Sequence, residues 1–398
     1  MTSSPRRLRQ LPSGVHDLFG APAQQLIDLS TRLRALLARW AYHEVLPPTF
    51  EYFDTVMLAF DADFAAEVYR FVDPDGHLLA LRPDLTVPVA RLVATKLYDQ
   101  PMPQRLSYVA PVFRFSEPNS HRSCQVWQAG WELIGVASPA ADAEVVTLLV
   151  AALEEAGLQE FQVNLGHMGF VRATLADTTL NEDARTELLR AVDRKNRKIL
   201  AQTLDESGVA GPARAVLEAL PDLWGGEEVL EKALRLAPNL PAREAIEHLQ
   251  QVYQLLQSYG IAERVTLDLG EVRGMDYYTG VIFELFAGGS GFSIASGGRY
   301  DTLLGRFGAG LPAIGAMIEL ERVQAVLHHL HGLPTLAPPD ALQQQCDHAA
   351  CLQALLERRR AGEHIELDLH QRPLPALRAE AEQRHIPRVI PCQQERAS

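Results

Sequence analysis

The sequence predicts an α+β chain. Leu26, Leu29, Leu33, Leu36, Leu37 and Trp40 recur at helical spacing, with arginines between them. Short strand-like runs follow, separated by turn residues such as Asp73-Pro74-Asp75-Gly76. Beyond about residue 340 helices and strands alternate, as in a small α/β unit.

The first helix starts after Pro22. Residues 45–52 read as a strand that Pro47 and Pro48 restrict to an edge or an end. Residues 69–72 and 77–81 are strands on either side of the Asp73–Gly76 turn. Two further strands, 105–115 and 124–135, flank a polar loop at 116–123. A helix over 142–156 is ended by Gly157, and Phe161, Val163 and Leu165 alternate as in a half-buried strand. From 177 to 259 the pattern is helical and charged, without strand runs, and reads as a helical insertion. Val265, Leu267 and Leu269 restart the strand pattern, which continues over 281–286. Residues 313–330 read as a helix. Gly332 and the three prolines of 331–339 mark a linker, so the expected divisions are 1–325, a linker within 326–339, and 340–398. The last division offers helix 351–360, strand 364–369, helix 374–385 and strand 388–391, with Gln393 to Ser398 as a polar tail.

At 398 residues the chain has ample length for a large core, and its net charge of −13 gives no general attraction to nucleic acid. The basic start at Arg6, Arg7 and Arg9 is not followed by an apolar signal core, and no apolar run is long enough to span a membrane. Cys124, Cys346, Cys351 and Cys392 are scattered without a CxxC pair, which points to reduced thiols in a cytoplasmic protein. No G-x-x-x-x-G-K-[ST] loop is present, and Gly288-Gly289-Ser290-Gly291 reads as a hairpin turn. His328, His329 and His331 sit at a helix end without a carboxylate or cysteine set. Neither a metal nor a cofactor is expected.

The chemistry concentrates in two places. In the strand beginning at Val126, one face shows Trp127, Ala129, Trp131 and Leu133, while the other shows Gln128, Gly130 and Glu132. A glycine between two polar groups in an apolar segment leaves room for something to approach. Arg114 likewise opposes Phe113 and Phe115, and an Arg114–Glu132 pair on a solvated face is an equally good reading of these residues alone. The second place is Arg273-Gly274-Met275-Asp276-Tyr277-Tyr278-Thr279-Gly280 with Ser296-Gly297-Gly298-Arg299-Tyr300-Asp301. An arginine, an aspartate and tyrosines gathered there suit a small zwitterion.

The wording of those two runs closely resembles the histidine-recognition signatures of histidyl-tRNA synthetases, which are class II aminoacyl-tRNA synthetases. Leu81-Arg82-Pro83-Asp84-Leu85-Thr86 is similar to the synthetase motif LRPEGT, with the glutamate shortened to Asp84. Phe113-Arg114, Gln128 and Glu132 match motif 2 and the histidine-binding strand after it. The resemblance covers about the first 325 residues and implies a mostly antiparallel sheet surrounded by helices. The 45–52 strand and the helix before it resemble motif 1, which usually builds a dimer interface; taken by themselves, these residues are better read as an ordinary core helix with an edge strand. The resemblance also implies a histidine site. Arg273 suits the carboxylate as a guanidinium fork. Asp84, Thr86 and Gln128 suit the ammonium. Glu132 and a hydroxyl of Tyr277 or Tyr278 suit the imidazole, whose two nitrogens need separate partners. Arg114 and Tyr300 complete the set.

The nucleotide end departs from the synthetases. The motif 2 glutamate is Ser116, and only Arg122 remains of a loop that is much more basic in the family. The motif 3 glycine, against which the nucleotide lies, is Glu319 in Glu319-Leu320-Glu321-Arg322. Two like charges about 4 Å apart repel by roughly 4 kcal/mol at an effective dielectric near 20. Arg114, Arg273 and Arg322 remain. The last division resembles a truncated anticodon-binding domain, with Glu366-Leu367-Asp368-Leu369 as its central strand. These departures resemble the synthetase-like regulatory subunits of ATP phosphoribosyltransferase. That resemblance implies a noncatalytic chain, a dimer within a hetero-octamer, a separate short catalytic subunit as partner, and L-histidine as feedback effector. The alternatives are a histidyl-tRNA synthetase with a degenerate C-terminal domain and a stand-alone amino-acid ligase.

Overall fold

The computed structural model describes residues 9–60, 64–115, 123–272 and 277–392. The chain divides into two compact units, Met1–Leu333 and Pro334–Ser398. The first is built on a nine-stranded sheet in the order His43–Glu44, Gln104–Phe113, Gln125–Ile134, Ala313–Glu319, Ala295–Arg299, Val281–Ala287, Phe161–His167, Val265–Asp268 and Trp224–Gly225. His43–Glu44 pairs in parallel with Gln104–Phe113, as does Phe161–His167 with Val265–Asp268; the other pairings are antiparallel. Among the described residues, no helix is long and apolar enough to cross a membrane.

The two faces of the sheet differ in chemistry. One carries Trp131, Leu133, Val163, Leu165, Phe283, Leu285, Ile314 and Ile318 into the main core. Helices Gly20–Arg39, Pro139–Ala156 and Leu240–Ser258 cover that side. Pro139–Ala156 is buried almost all round. Its start is set by the Ser138 hydroxyl, which accepts the Ala141 N–H at 3.3 Å, and its end by Gly157 in the left-handed region at φ 101°. The other face carries Tyr108, Gln128, Gly130 and Glu132. A second cluster that includes Leu85, Val87, Val89, Tyr300 and Leu303 closes over it, partly from helix Thr86–Leu92.

Several expected elements take a different form. Residues 313–330 are not one helix: Ala313–Glu319 is a strand, and the helix is Leu320–His331. The strand is hydrogen-bonded on both edges and buried on both faces, so its apolar run shows no alternation to separate it from the helix that follows. The single strand expected over 45–52 is two short strands in different sheets. His43–Glu44 joins the large sheet, whereas Phe50–Tyr52 joins Leu78–Leu81 and Arg70–Val72 in a separate antiparallel sheet. Pro47 and Pro48 separate them, and the carbonyls of both accept from the buried Arg82 guanidinium at 2.7 and 3.2 Å. The first helix begins at Gly20, with Pro22 inside its first turn. The helical insertion also contains a strand, Trp224–Gly225, too short to show a period.

The second unit is a parallel three-stranded sheet in the order Ile365–Leu367, Ala341–Gln343, Val389–Ile390, with helices Ala349–Arg360 and Leu374–Gln383. Its central strand is thus Ala341–Gln343, and the expected Glu366–Leu367 segment lies at an edge. A three-residue strand of Ala, Leu and Gln gives no pattern to read.

A buried ionic cluster ties the main helix layer to the sheet. Asp142 on Pro139–Ala156 is fully buried, and its carboxylate accepts the Arg299 Nε–H at 3.0 Å and lies 2.6 Å from His248 Nε2. Arg299 also reaches Asp301 at 3.0 Å and the Val136 carbonyl at 3.2 Å. His167, ring to ring with His248 at 5.6 Å, is driven down to about 3 by burial and stays neutral. Removing one partner of such a buried pair strands the other charge. Asp142→Ala is therefore expected to lower stability by about 3–5 kcal/mol, read as a lower urea midpoint at unchanged slope.

Candidate functional site

The site forms on the second face of the sheet, where strand register places glycines opposite large polar side chains. Glu132 lies opposite Gly315, and Gly315 opposite Gly298; Tyr108 lies opposite Gly130. A Cβ at Gly315 would stand 1.7 Å from Glu132 Oε2. One at Gly130 would stand 2.5 Å from the Tyr108 hydroxyl, and one at Gly298 2.7 Å from the Tyr278 ring. The absence of these three methyl groups is what lets the carboxylate and two phenol rings lie against the backbone.

Glu132 is the centre of this arrangement. It is 1% exposed. The Tyr300 hydroxyl donates to its Oε2 at 2.5 Å and the Tyr108 hydroxyl to its Oε1 at 3.2 Å. Thr86, in the first turn of its helix, also hydrogen-bonds the carboxyl. Burial nevertheless outweighs these donors and pushes the Glu132 carboxyl up to about 7, with the nearby Asp84 adding repulsion. Asp84 is itself pushed up to about 6 by burial, held back by the Arg114 charge and by the Val87 N–H at 3.4 Å. Tyr277 stacks on Tyr300 at 5.3 Å and meets Tyr278 edge-on at 4.9 Å. All three phenols are held above their ordinary range, first by burial and then by the site's carboxylates.

Asp84, Thr86, Glu132, Tyr277, Tyr278 and Tyr300 are thus brought together. Gln128, 2% exposed, sits on the same sheet face. Arg114 does not pair with Glu132. Its Nε–H goes to the Pro83 carbonyl at 2.8 Å, and its guanidinium lies 5.9 Å over the Phe64 ring. Arg273 and Ser116 lie outside the described residues, as does Arg122. Tyr108 was not anticipated, although counting back by twos from Arg114 along its strand reaches it. Gly315 and Gly298 were missed as site residues because their value lies in what they leave out. An open depression of about 670 Å³, lined by Gln159, Glu160 and Arg264 among others, holds none of these residues.

The other end of this face closes differently. Glu319 lies opposite Gln128 in register and is 7% exposed. Its carboxylate pairs with the Arg322 guanidinium one turn along the helix. Arg322 also donates to the Ser293 carbonyl and lies 5.8 Å over the Phe292 ring. Glu321 accepts the Trp127 N–H at 2.9 Å and is pushed up to about 7 by burial, with Glu319 contributing. The arginine that survives at this end is therefore engaged within the chain.

Comparison with known proteins identifies the group. The histidyl-tRNA synthetase family model matches residues 14–323. An ATP phosphoribosyltransferase regulatory subunit of Desulforamulus reducens is 39% identical over 98% of this chain and 97% of its own. The chain belongs to the ATP phosphoribosyltransferase regulatory subunit family. A second member of the family, from Geobacter sulfurreducens, is 37% identical over 91% of this chain and 83% of its own. A solved structure from Bacillus halodurans, described as an ATP phosphoribosyltransferase regulatory subunit/histidyl-tRNA synthetase, superposes with a TM-score of 0.84. It is 30% identical and covers 97% of this chain and 98% of its own. The histidyl-tRNA synthetase of Nostoc sp. PCC 7120, 20% identical with a TM-score of 0.81 over 98% of this chain and 93% of its own, shows the shared fold. The family's first unit is accordingly a class II synthetase-like α+β fold.

Two outcomes test the geometry. The Glu132 carboxyl stands at about 7 in the folded chain against 4.5 when unfolded. The folded state holds this proton longer, so the group's contribution is full below about 4.5 and lost as pH rises toward about 7. Relative to Glu132→Gln, the wild type should lose roughly 3 kcal/mol between about pH 5 and about pH 8, measured by urea unfolding at each pH. Gly315→Ala should displace the Glu132 carboxylate and destabilise by about 1–3 kcal/mol, with a crystal structure of the variant showing the Tyr300–Glu132 bond broken.

Proposed function

We propose that the chain is a noncatalytic subunit of ATP phosphoribosyltransferase. It acts with a separate short catalytic subunit in the first step of L-histidine biosynthesis, and it senses histidine in the pocket around Glu132. The observation that carries this reading is a contrast within one sheet face. Glu132 is buried and accepts from the hydroxyls of Tyr108 and Tyr300, while at the far end Glu319 engages Arg322.

In this reading Arg273 holds the histidine carboxylate, and Asp84, Thr86 and Gln128 hold the ammonium. Glu132 and the hydroxyl of Tyr277 or Tyr278 take the two ring nitrogens, with Arg114 and Tyr300 framing the site. A look-alike amino acid without the second ring nitrogen leaves a buried partner unsatisfied, which is the source of selectivity. Glu319 places bulk and negative charge where the related synthetases seat a nucleotide, which weighs against amino-acid activation. Two copies of the chain assemble as a dimer within a hetero-octamer in the cytoplasm. Histidine then biases the assembly toward a less active state, for which a coupling of ~1–3 kcal/mol suffices.

The test is reconstitution of the purified chain with the short catalytic subunit. Full transferase activity should require both, and L-histidine should suppress it. Arg273→Ala or Glu132→Ala should abolish the suppression while assembly persists. Unchanged inhibition in both variants would overturn the pocket assignment. Histidine-dependent exchange of pyrophosphate into ATP by the isolated chain would favour the synthetase instead.

A further inference from the structure

The second unit holds a cluster that the spacing of its members conceals. Cys346, Cys351 and Cys392 are far from any CxxC pattern, yet their sulfur atoms all lie within 4.8 Å of one another. We propose that these three thiols form a soft-metal site of the kind that takes Zn2+.

The topology explains how they meet. Cys346 follows the central strand Ala341–Gln343, and Cys392 follows the adjacent parallel strand Val389–Ile390. Both therefore sit beyond the carboxyl ends of parallel strands, the edge at which open α/β sheets collect ligands. Cys351 lies in the first turn of helix Ala349–Arg360. The backbone around them is pinned. The Cys392 N–H donates to the Gln344 side-chain oxygen at 3.0 Å, and Gln343 Nε2 donates to the Cys351 carbonyl at 3.4 Å.

The spacing suits a metal. Zn–S bonds of about 2.3 Å in tetrahedral geometry set neighbouring sulfurs about 3.8 Å apart, which this cluster reaches with little contraction. Cys351 and Cys392 are buried and Cys346 is half-buried, and a tetrahedral ion on three thiolates would take its fourth ligand from solvent. Gln345, next to Cys346 in the chain, has a buried side-chain oxygen for which the described residues supply no partner. Packing alone explains a single buried cysteine, such as Cys124 near the Ser13 carbonyl. It does not explain why all three cysteines of this unit converge on one strand edge.

Binding forms three Zn–S bonds as each thiol gives its proton to solvent. The thiolate charge that Zn2+ leaves uncompensated sits beside the start of a helix, where negative charge is favoured.

The experiment uses the full reduced chain, stripped with a chelator and titrated anaerobically with Co2+ and then Zn2+. Near-stoichiometric uptake is expected, with a thiolate-to-cobalt charge-transfer band that Zn2+ abolishes. Cys351→Ser should weaken binding roughly 100-fold or more, while Cys124→Ser should bind as the wild type does. Cys346→Ser, at the half-buried position, keeps the test decisive if the buried variant misfolds, with circular dichroism confirming its fold. No Co2+ uptake by the reduced chain, unchanged affinity in folded Cys346→Ser, or a disulfide among these residues on alkylation after anaerobic lysis would each overturn the proposal.

Discussion

The site depends on one close approach, the Glu132 carboxylate lying over the backbone of Gly315. A carboxylate can rest against a strand only where the facing residue has no side chain, and register puts that residue opposite Glu132. Gly298 and Gly130 repeat the device for the rings of Tyr278 and Tyr108. The outcome is a buried acid on which hydroxyls converge. Each donor is carried by a different element: Tyr108 by one strand, Thr86 by a helix start, and Tyr300 by the turn after another strand. Shifting the register of any one strand by a single residue would turn its contribution to the opposite face.

The two faces of the sheet are coupled through consecutive residues. Arg299 points into the helix layer and anchors on Asp142, while Tyr300 points the other way to Glu132. The ionic cluster behind the sheet therefore fixes the strand end from which the tyrosine reaches the site. Such a pair is costly to desolvate and contributes little net stability when intact. Its value here is positional. Asp301, which follows, accepts from the Ala313 N–H at 3.0 Å and so ties the same turn to the start of the next strand, the one that carries Gly315.

How much of this was legible in the chain follows from what each feature looks like one residue at a time. Strand alternation exposed Gln128 and Glu132 because polar groups on an apolar strand break a pattern that is otherwise strong. The same rule, extended along the neighbouring strand, reaches Tyr108. Ala313–Glu319 was misread because a strand buried on both faces has no period, and its residues suit a helix equally well. The correction matters for the site, since it moves Gly315 and Glu319 from a helix onto the sheet face that carries Glu132 and Gln128. Pairings such as Arg299 with Asp142, 157 residues apart, leave no local trace. Neither does the meeting of Cys346 and Cys351 with Cys392, which only the parallel order of short strands brings about.

The position of Glu319 links the two ends of this sheet face. It closes the strand that carries Gly315 and immediately precedes the helix whose first turn contains Arg322. A glycine there would leave the Arg322 guanidinium free to meet an external anion; the glutamate supplies that anion from within the chain. The pair is local, three residues apart, so forming it requires little further ordering of the backbone, and it is shielded on the glutamate side. On the proposed reading, the nucleotide end of this sheet face is already satisfied within the chain, and the end around Glu132 is where the ligand is held. Binding energy from a small zwitterion then has no activation chemistry to drive. It remains available to favour one arrangement of an assembly over another, provided the two arrangements differ in how tightly they hold Glu132 and its tyrosines.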